Sequence, residues 1–284
     1  MGNVLLMKFL SLKQNLQQIL LIERKNNINK LIHQTAIIDE SALLGSNVKI
    51  GPYSVIGENA DIGDNTVIGN HVNILPNVKI GTSCQVFHAS SIGEIPQDLK
   101  FEGEDTKTII GDNTIIREYV TINRGTSESG ETRVGSNCLL MASTHVAHDC
   151  ILGDNVIMSN LTTLGGHVEV QNWVVLGGGV LVHQFTKIGE HAFIGGGFRV
   201  VQDVPPFILG ADSPLAFQGI NSTGLKRRGF SPSDRKIIKE IYKVYFRLTE
   251  NRNESILKIE KEFPKSSLRD QILNFIRSST RGII

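Results

Sequence analysis

The chain has 284 residues, of which 40% are hydrophobic and only 6% aromatic, and its formal net charge is +1. This length suits one extended domain with a smaller one, and the low net charge argues against a nucleic-acid or membrane-surface binder. Its three cysteines, Cys84, Cys138 and Cys150, have neither CxxC spacing nor an even count. A disulfide framework is therefore not expected, and a reducing cytoplasm fits best.

Residues 1–32 are expected to form an N-terminal extension that is either helical or disordered. Val4 to Leu12 is apolar but interrupted by Lys8, so it is too short to span a bilayer, and no small-residue cleavage site follows it. A short amphipathic helix, a dispensable extension and a weak organellar transit peptide are the alternatives for this segment. The helical alternative rests on the spacing of Leu5, Phe9, Leu12, Leu16, Ile19 and Leu20.

An aliphatic residue recurs at every sixth position from residue 38 to residue 200, with two interruptions. Neither a helix, with a period of about 3.6, nor a half-buried strand, with a period of 2, holds such a register. A parallel β-helix does, because each hexapeptide forms one short strand and a corner. The recurring residues are Ile38, Leu44, Ile50, Ile56, Ile62, Ile68, Ile74, Ile80, Val86, Ile92, then Ile110, Ile116, Ile122, then Val134, Leu140, Val146, Leu152, Met158, Leu164, Val170, Leu176, Val182, Ile188, Ile194 and Val200.

Glycine often follows the aliphatic position, as at Gly45, Gly51 and Gly57, which indicates corners that need unusual backbone angles or close approach. We assign the β-helix to residues 33–205. Two polar loops interrupt it, at 87–108 and 123–133. Loops this long in a regular stack are usually functional.

Residues 206–284 are predicted to form a helical C-terminal domain. Ser231 followed by Pro232 marks a helix start, and an amphipathic pattern runs on to Leu248. Two more helical stretches are predicted at about 254–263 and 268–277. Such a domain also covers the last coil of the solenoid, whose open edge would otherwise promote aggregation.

Three hexapeptides make one coil of 18 residues, so residues 18 apart should stack at a spacing of ~4.8 Å. This places His148, Gly166 and Gln184 in one column, with His145, His167 and His183 nearby. Histidine is the usual general base near neutral pH, and a glycine N–H can stabilise an oxyanion. Asp149 can orient the imidazole only at a corner, because neighbours on a strand face opposite sides.

Two other interpretations of these histidines stay open: solvated surface residues and a zinc site, because imidazoles from successive coils can bind Zn²⁺. Farther along, residues 224–230 (GLKRRGF) place three cations between two glycines. Arginine suits phosphate recognition, although a basic run is more often a solvated face.

Several segments resemble the UDP-N-acetylglucosamine O-acyltransferases, which carry out the first step of lipid A synthesis. The similarity covers the chain from about His33 to the C-terminus. Hexapeptide repeats alone indicate a broad acyltransferase superfamily, whereas HVAHDC together with GLKRRGF is typical of a much smaller group of proteins within it. The matching segments are IGEIPQDLK (92–100), NRGT (123–126), HVAHDC (145–150), GGHV (165–168), VHQF (182–185), QDVPPF (202–207), GLKRRGF (224–230) and the terminal RSSTRGII.

The resemblance implies a left-handed β-helix, a homotrimer with active sites between subunits, and no metal, cofactor or covalent intermediate. The implied reaction moves an (R)-3-hydroxyacyl group from acyl carrier protein to the 3-hydroxyl of UDP-N-acetylglucosamine. His148 would be the general base, Asp149 its support, and the Gly166 N–H the oxyanion donor. In the first loop, Asp98 and Lys100 match residues that contact substrate from the neighbouring subunit.

The resemblance assigns further substrate contacts. It implies sugar-nucleotide or acyl-chain contacts at His145, His167, His183 and Gln184, and nucleotide binding at Asn221, Arg227 and Arg228. The basic run also matches a surface thought to meet the carrier protein. Glycines at Gly195 and Gly196 imply an unblocked acyl groove for longer chains. The chain departs from the family pattern at Ser222-Thr223, just before Gly224, where many relatives have an acidic residue.

Four alternatives stay open. Two are other acyltransferases: an N-acyltransferase of the same pathway and a coenzyme A-dependent O-acetyltransferase. Two belong to other classes: a zinc-dependent lyase resembling γ-type carbonic anhydrase, and a non-enzymatic trimeric scaffold. The N-acyltransferases usually carry a sizeable domain before their repeats, which the short N-terminal extension cannot supply. An acetyltransferase leaves QDLK and GLKRRGF unexplained.

Overall fold

A computed structural model describes residues 31–248 and 251–284. The helix suggested for the N-terminal extension lies outside these residues. From residue 32 the chain winds into a parallel β-helix whose three faces are sheets of two- to five-residue strands. The recurring aliphatic residue ends almost every strand, which confirms the fold expected from the six-residue period.

The strands fall into three sheets. The first contains β1 Ile37–Ile38, β4 Val55–Ile56, β7 Asn73–Ile74, β10 Ser91–Glu94, β13 Thr121–Asn123, β16 His145–Val146, β19 Thr163–Leu164, β22 Leu181–Val182 and β25 Arg199–Val200. The second contains β2 Leu43–Leu44, β5 Asp61–Ile62, β8 Val78–Ile80, β11 Lys107–Ile110, β14 Glu131–Val134, β17 Ile151–Leu152, β20 Glu169–Val170 and β23 Lys187–Ile188. The third contains β3 Lys49–Ile50, β6 Val67–Ile68, β9 Gln85–Val86, β12 Ile115–Ile116, β15 Leu139–Leu140, β18 Ile157–Met158, β21 Val175–Leu176, β24 Phe193–Ile194, β26 Ile208–Ala211 and β27 Ala216–Ile220.

The register follows the predicted coil of three hexapeptides. His145 pairs with Thr163, and Thr163 with Leu181. The two loops lengthen single coils, because Ser91 pairs with Thr121 across the first loop and Thr121 pairs with His145 across the second. The loops span 95–106 and 124–130, narrower than the predicted 87–108 and 123–133, because the residues flanking them still pair in the sheets.

The core has two buried positions per hexapeptide. The predicted aliphatic residues are at most 4% exposed from Ile50 to Val200. A second buried position lies two residues earlier, and Ser, Thr or Cys occupies many of these sites. Most of these side chains donate to a glycine carbonyl of the next coil, as Thr114 does to Gly135 (2.9 Å) and Cys150 to Gly165 (3.1 Å), which satisfies a polar group that burial removes from water. Among the buried hydroxyls of the described residues, those of Thr108, Thr144 and Thr186 have no hydrogen-bond partner.

Two different residues shape each corner. The residue three positions after the aliphatic one has left-handed backbone, for example Asn47 (φ 59°) and Asp149 (φ 59°). The glycine directly after the aliphatic residue is needed for close approach instead: a Cβ at Gly51 would lie 2.5 Å from the Gly69 carbonyl oxygen. The sequence allows both explanations for these glycines, and the stacking distance decides between them.

The C-terminal region begins as a continuation of the third sheet. β26 pairs parallel with β24, and β27 returns antiparallel. Helices then follow: α1 Ser222–Arg227, α2 Pro232–Lys243 with a π-helical turn Val244–Leu248, α3 Arg252–Glu262 and α4 Ser267–Ser278. The predicted start at Ser231 is a capping box in which Ser231 and Asp234 bond each other's backbone N–H. None of the helices in the described part of the chain is long and apolar enough to cross a membrane.

Candidate active site

One edge of the solenoid carries both loops and the predicted column. This edge, which we call the loop edge, joins the first sheet to the second. Moving along the stack, it carries the loop 95–106, the loop 124–130, His148-Asp149, Gly166-His167 and His183-Gln184. The stacking of coils therefore places His148, Gly166 and Gln184 in consecutive coils, as predicted.

His148 and Asp149 lie on the corner between β16 and β17. Adjacent strand residues face opposite sides, but the left-handed backbone of Asp149 turns its carboxylate to the same side as the imidazole. Nδ1 of His148 is 2.7 Å from Oδ2 of Asp149, and their side chains are 13% and 0% exposed. The condition set by the sequence, that this contact needs a corner, is met.

The Asp149 carboxylate accepts several hydrogen bonds. The Thr126 backbone N–H donates to Oδ1 (2.9 Å) and the Thr126 hydroxyl to Oδ2 (2.8 Å), while the Ser129 hydroxyl contacts Oδ1. Burial acts to raise the pKa of Asp149, but the bonds from Ser129, His148 and Thr126 outweigh it and lower the pKa below its ordinary value. An ionised carboxylate facing Nδ1 assigns the ring proton to Nδ1 and leaves the Nε2 lone pair free.

Gly166 packs directly on the His148 ring. A Cβ at this position would lie 2.6 Å from Cε1 and 2.7 Å from Nε2 of His148, so only glycine fits without moving the imidazole. Within residues 31–248 and 251–284, no protein group accepts a hydrogen bond from the Gly166 N–H, while its carbonyl accepts one from Phe185 (3.0 Å). This N–H is thus available to an anionic oxygen beside His148.

His167 closes the other side of the pair. Its ring is edge-on to that of His148, with centroids 5.1 Å apart, and it stacks on Phe185 at 4.4 Å. Its Nε2 lies 3.5 Å from Asp149 Oδ2 and 3.6 Å from Glu128 Oε2. The ring is therefore held between two carboxylates and an aromatic face.

A cavity of about 570 Å³ opens in front of His148. The first loop forms one wall, and Asp98 and Lys100 therefore face the same space as the histidine within a single chain, although the resemblance implies that they act from a neighbouring subunit. The lining residues are Gln97, Asp98, Leu99, Lys100, Phe101, Glu104, Thr126, Ser127, Glu128, His148, His167, Gln184 and Phe185.

His145 and His183 lie beside this cavity and do not line it. His145 Nδ1 is 2.8 Å from the Thr121 hydroxyl, and burial, followed by the nearby His148, lowers the pKa of His145. His183 is exposed, with Nδ1 3.1 Å from the Gln184 carbonyl oxygen.

The remaining predicted residues occupy the other two edges. Arg228 lies at the edge between the second and third sheets, with its guanidinium 5.2 Å from the Trp173 ring centroid and 3.2 Å from His191 Nδ1. Asn221 is buried nearby, caps α1 and donates to the His191 carbonyl (2.9 Å), whereas Arg227 is exposed. Gly195 and Gly196 lie at the edge between the third and first sheets. One chain does not bring these residues to His148.

Sequence reasoning missed several residues at the site. Ser129, Glu128 and Phe185 contact Asp149 or His167, and the sequence marks Thr126 only as the end of the NRGT motif. Phe185 lies one coil after His167 in the same column, so stacking alone was enough to identify it. The loop residues gave no such signal, because loop conformation has no period.

His148, Asp149 and His167 also lie close enough together to be considered as metal ligands. The hydrogen-bonding pattern explains the cluster differently. Both oxygens of Asp149 already accept from Thr126, and each accepts a further bond from Ser129 or His148. Protein donors thus use the lone pairs that a metal would need.

Family models and relatives of known name match this chain over most of its length. Residues 203–284 match the family model described as UDP-N-acetylglucosamine O-acyltransferase, domain 2, and residues 41–76 and 131–166 match bacterial transferase hexapeptide repeats. Two relatives named acyl-[acyl-carrier-protein]–UDP-N-acetylglucosamine O-acyltransferase are each 52% identical over 89% of this chain. The one from a Sulfurihydrogenibium species is covered to 93% and the one from Paracidovorax citrulli to 98%.

The chain belongs to the UDP-N-acetylglucosamine O-acyltransferase family. Solved acyltransferases of this name superpose well: that of Bacteroides fragilis gives a TM-score of 0.87 at 43% identity over 89% of this chain and 99% of its own. That of Francisella novicida gives 0.86 at 39% identity over 89% and 93%. The fold is accordingly a left-handed β-helix followed by a small helical domain, as predicted, and the protein is an O-acyltransferase.

Proposed function

We propose that this chain transfers an (R)-3-hydroxyacyl group from acyl carrier protein to the 3-hydroxyl of UDP-N-acetylglucosamine, the first step of lipid A biosynthesis, with His148 as general base. The observation that carries the proposal is the 2.7 Å contact between His148 Nδ1 and the buried Asp149 carboxylate. It fixes a histidine with a free Nε2 beside an available N–H at Gly166.

In the proposed reaction, His148 Nε2 removes the proton of the sugar 3-hydroxyl while that oxygen attacks the thioester carbonyl. The carbonyl oxygen becomes an oxyanion, which the Gly166 N–H stabilises. The C–S bond then breaks, and the leaving thiolate of the carrier protein takes the proton back from the imidazolium. The thioester is already activated, so positioning, proton removal and oxyanion stabilisation carry the rate without a metal, cofactor or covalent intermediate.

Asp98, Lys100, His167 and Gln184 would hold the sugar nucleotide and donor, because all four line the cavity at His148. Arg228 and Asn221 would bind the nucleotide, with Arg227 adding to a basic surface for the acidic carrier protein. His145 and His183 would make outer contacts. Gly195 and Gly196 would form an unblocked acyl groove that accepts longer chains. A preference of the enzyme for a C10 donor over C14–C16 donors would contradict this assignment.

A homotrimer with active sites between subunits would reconcile these assignments with the geometry. His148 lies on the loop edge, whereas Arg228 and Gly195 lie on the two other edges. A second subunit packed against the loop edge is needed to bring an arginine of this kind to the cavity. Sedimentation of the purified protein as a monomer under assay conditions would exclude this arrangement. The three free, buried cysteines accord with the proposed cytoplasmic location.

The decisive experiment is a turnover assay with UDP-N-acetylglucosamine and a panel of 3-hydroxyacyl carrier-protein thioesters. The variant His148→Ala should lose almost all activity while its circular dichroism and oligomeric state stay unchanged. His71→Ala is the matched control, because His71 occupies a corner of another coil, stacked on Tyr53. Normal turnover by His148→Ala refutes the base, and about one zinc per subunit with activity lost to a chelator refutes the metal-free mechanism.

A further inference from the structure

The segment Asn123–Thr126, which reads NRGT, has no part in the reaction proposed above, yet it contacts both the first loop and the catalytic pair. Its first two residues hold the beginning of the first loop. The Asn123 amide donates to the Ile95 carbonyl (2.9 Å), and the Arg124 side chain donates from Nε to the Gly93 carbonyl (2.9 Å). The first loop, which carries Asp98 and Lys100, therefore leaves the stack from a fixed point.

The third residue holds the end of the same loop. The Gly125 carbonyl accepts a hydrogen bond from the buried hydroxyl of Thr106 at 2.6 Å. A Cβ at Gly125 would lie 2.7 Å from the Cα of Glu131, so the backbone at the start of β14 passes too close for a larger residue. Both ends of the first loop are thus tied to one short segment.

The fourth residue holds the catalytic acid. Thr126 is 8% exposed and donates through two groups, its N–H to Oδ1 and its hydroxyl to Oδ2 of Asp149, at 2.9 and 2.8 Å. A planar carboxylate bonded at both oxygens by one residue cannot rotate about its Cβ–Cγ bond. The same Oδ2 faces His148 Nδ1 at 2.7 Å, so the orientation of the carboxylate sets that of the imidazole.

We propose that Thr126 is a positioning residue for acyl transfer: its two donors lock the Asp149 carboxylate so that His148 presents Nε2 to the acceptor hydroxyl. This inference rests on His148 being the general base. Ser129 adds a second donor to Oδ1, but it is exposed, lies 2.9 Å from the Glu131 carbonyl and reaches only one oxygen, whereas Thr126 bonds both oxygens and so sets the plane of the carboxylate.

Thr126→Val removes the hydroxyl and keeps both the β-branched shape and the backbone donor. We expect kcat to fall on the order of 10-fold, with a smaller change in KM for UDP-N-acetylglucosamine, because the lost hydrogen bond goes to the Asp149 carboxylate and its hydroxyl is not free to bind substrate. Thr126→Ser should restore most of the rate. The buried hydroxyl of Thr114, which bonds a backbone carbonyl far from the cavity, provides the control variant Thr114→Val.

The pH profile of kcat/KM separates positioning from a structural role. Without the Thr126 hydroxyl, more of the Asp149 charge acts on His148, so the protonated imidazole is favoured and the acidic limb moves to higher pH. The other titratable and charged groups around the pair are unchanged in this variant: Asp98, Lys100, Glu104, Glu128, His145 and His167.

Arg124→Met supplies a contrasting variant. It loosens the first loop without touching Asp149, so KM for the sugar nucleotide should rise more than kcat falls. Thr126→Val with kcat within about 2-fold of the parent and an unmoved acidic limb overturns the proposal. If His148→Ala retains activity, the general base itself is wrong; if His148→Ala is inactive while Thr126→Val is normal, only the role of Thr126 fails.

Discussion

Replacing Asp149 with asparagine should inactivate the enzyme by fixing the wrong histidine tautomer. The Thr126 N–H at 2.9 Å from Oδ1 is a backbone donor that cannot rotate, so the amide oxygen must occupy that position. The amide nitrogen then takes the place of Oδ2 and donates to His148 Nδ1. The other ring nitrogen of His148, Nε2, then carries the proton and cannot accept one from the substrate.

The size of the effect follows from two terms. In the reactive tautomer, the Nδ1–H of His148 faces the N–H of the new amide, and this repulsion costs about 2 kcal/mol. The charge-assisted hydrogen bond to the Asp149 carboxylate is also lost, which costs about 2 kcal/mol more. About 4 kcal/mol corresponds to a loss of about 10³-fold in kcat. The Asp149 backbone N–H still donates to the Thr132 hydroxyl (2.8 Å), so we expect the corner to keep its shape.

The assay is single-turnover acyl transfer by Asp149→Asn, with thermal unfolding measured in parallel. Asp154→Asn is the matched control: Asp154 accepts from the Ser136 N–H (2.7 Å), and one coil further an asparagine, Asn172, accepts from the Asp154 N–H in the same way (2.8 Å). A rate for Asp149→Asn above about a tenth of the parent would refute the tautomer argument.

Three further outcomes are expected. Gly166→Ala should lower kcat at least about 10-fold with the fold intact, since its Cβ would displace the His148 ring; unchanged kcat would contradict this packing. Burial, and then Arg228, lowers the pKa of His191 to about 4, so the unfolded chain gains a proton first as the pH falls below about 6.5. This residue should make the protein about 2 kcal/mol less stable in urea unfolding at pH 5 than at pH 7.5. His191→Asn should reduce the pH dependence by about that amount, while His145, whose pKa burial also lowers, keeps its own share. Burial raises the pKa of each thiol, to about 11 for Cys138 and about 12 for Cys150. Mass spectrometry after iodoacetamide treatment should therefore find no labelled cysteine in the native protein. In denaturant, Cys84, Cys138 and Cys150 should all be labelled.

The repeat predicted most of the fold because one residue type per hexapeptide reports burial directly. It also predicted the column at His148, since stacking converts a fixed sequence separation into a contact. The loop contacts of Ser129 and Glu128 were not predictable, because nothing periodic constrains residues 124–130. The cap that Asn221 forms on α1 and its bond to the His191 carbonyl were also not predictable, because they depend on how the C-terminal region packs on the last coils.

The loop edge has a consequence for how such a chain can change. Both loops replace a corner, and corners contribute little to the strand pairing on which the stack depends. Residues there can lengthen, shorten or exchange side chains while the strands before and after them keep their partners. The β-helix therefore provides a stable, repetitive scaffold, and the residues of the loop edge can vary independently of it. New acceptor or donor preferences can arise at the loop edge without changes to the core.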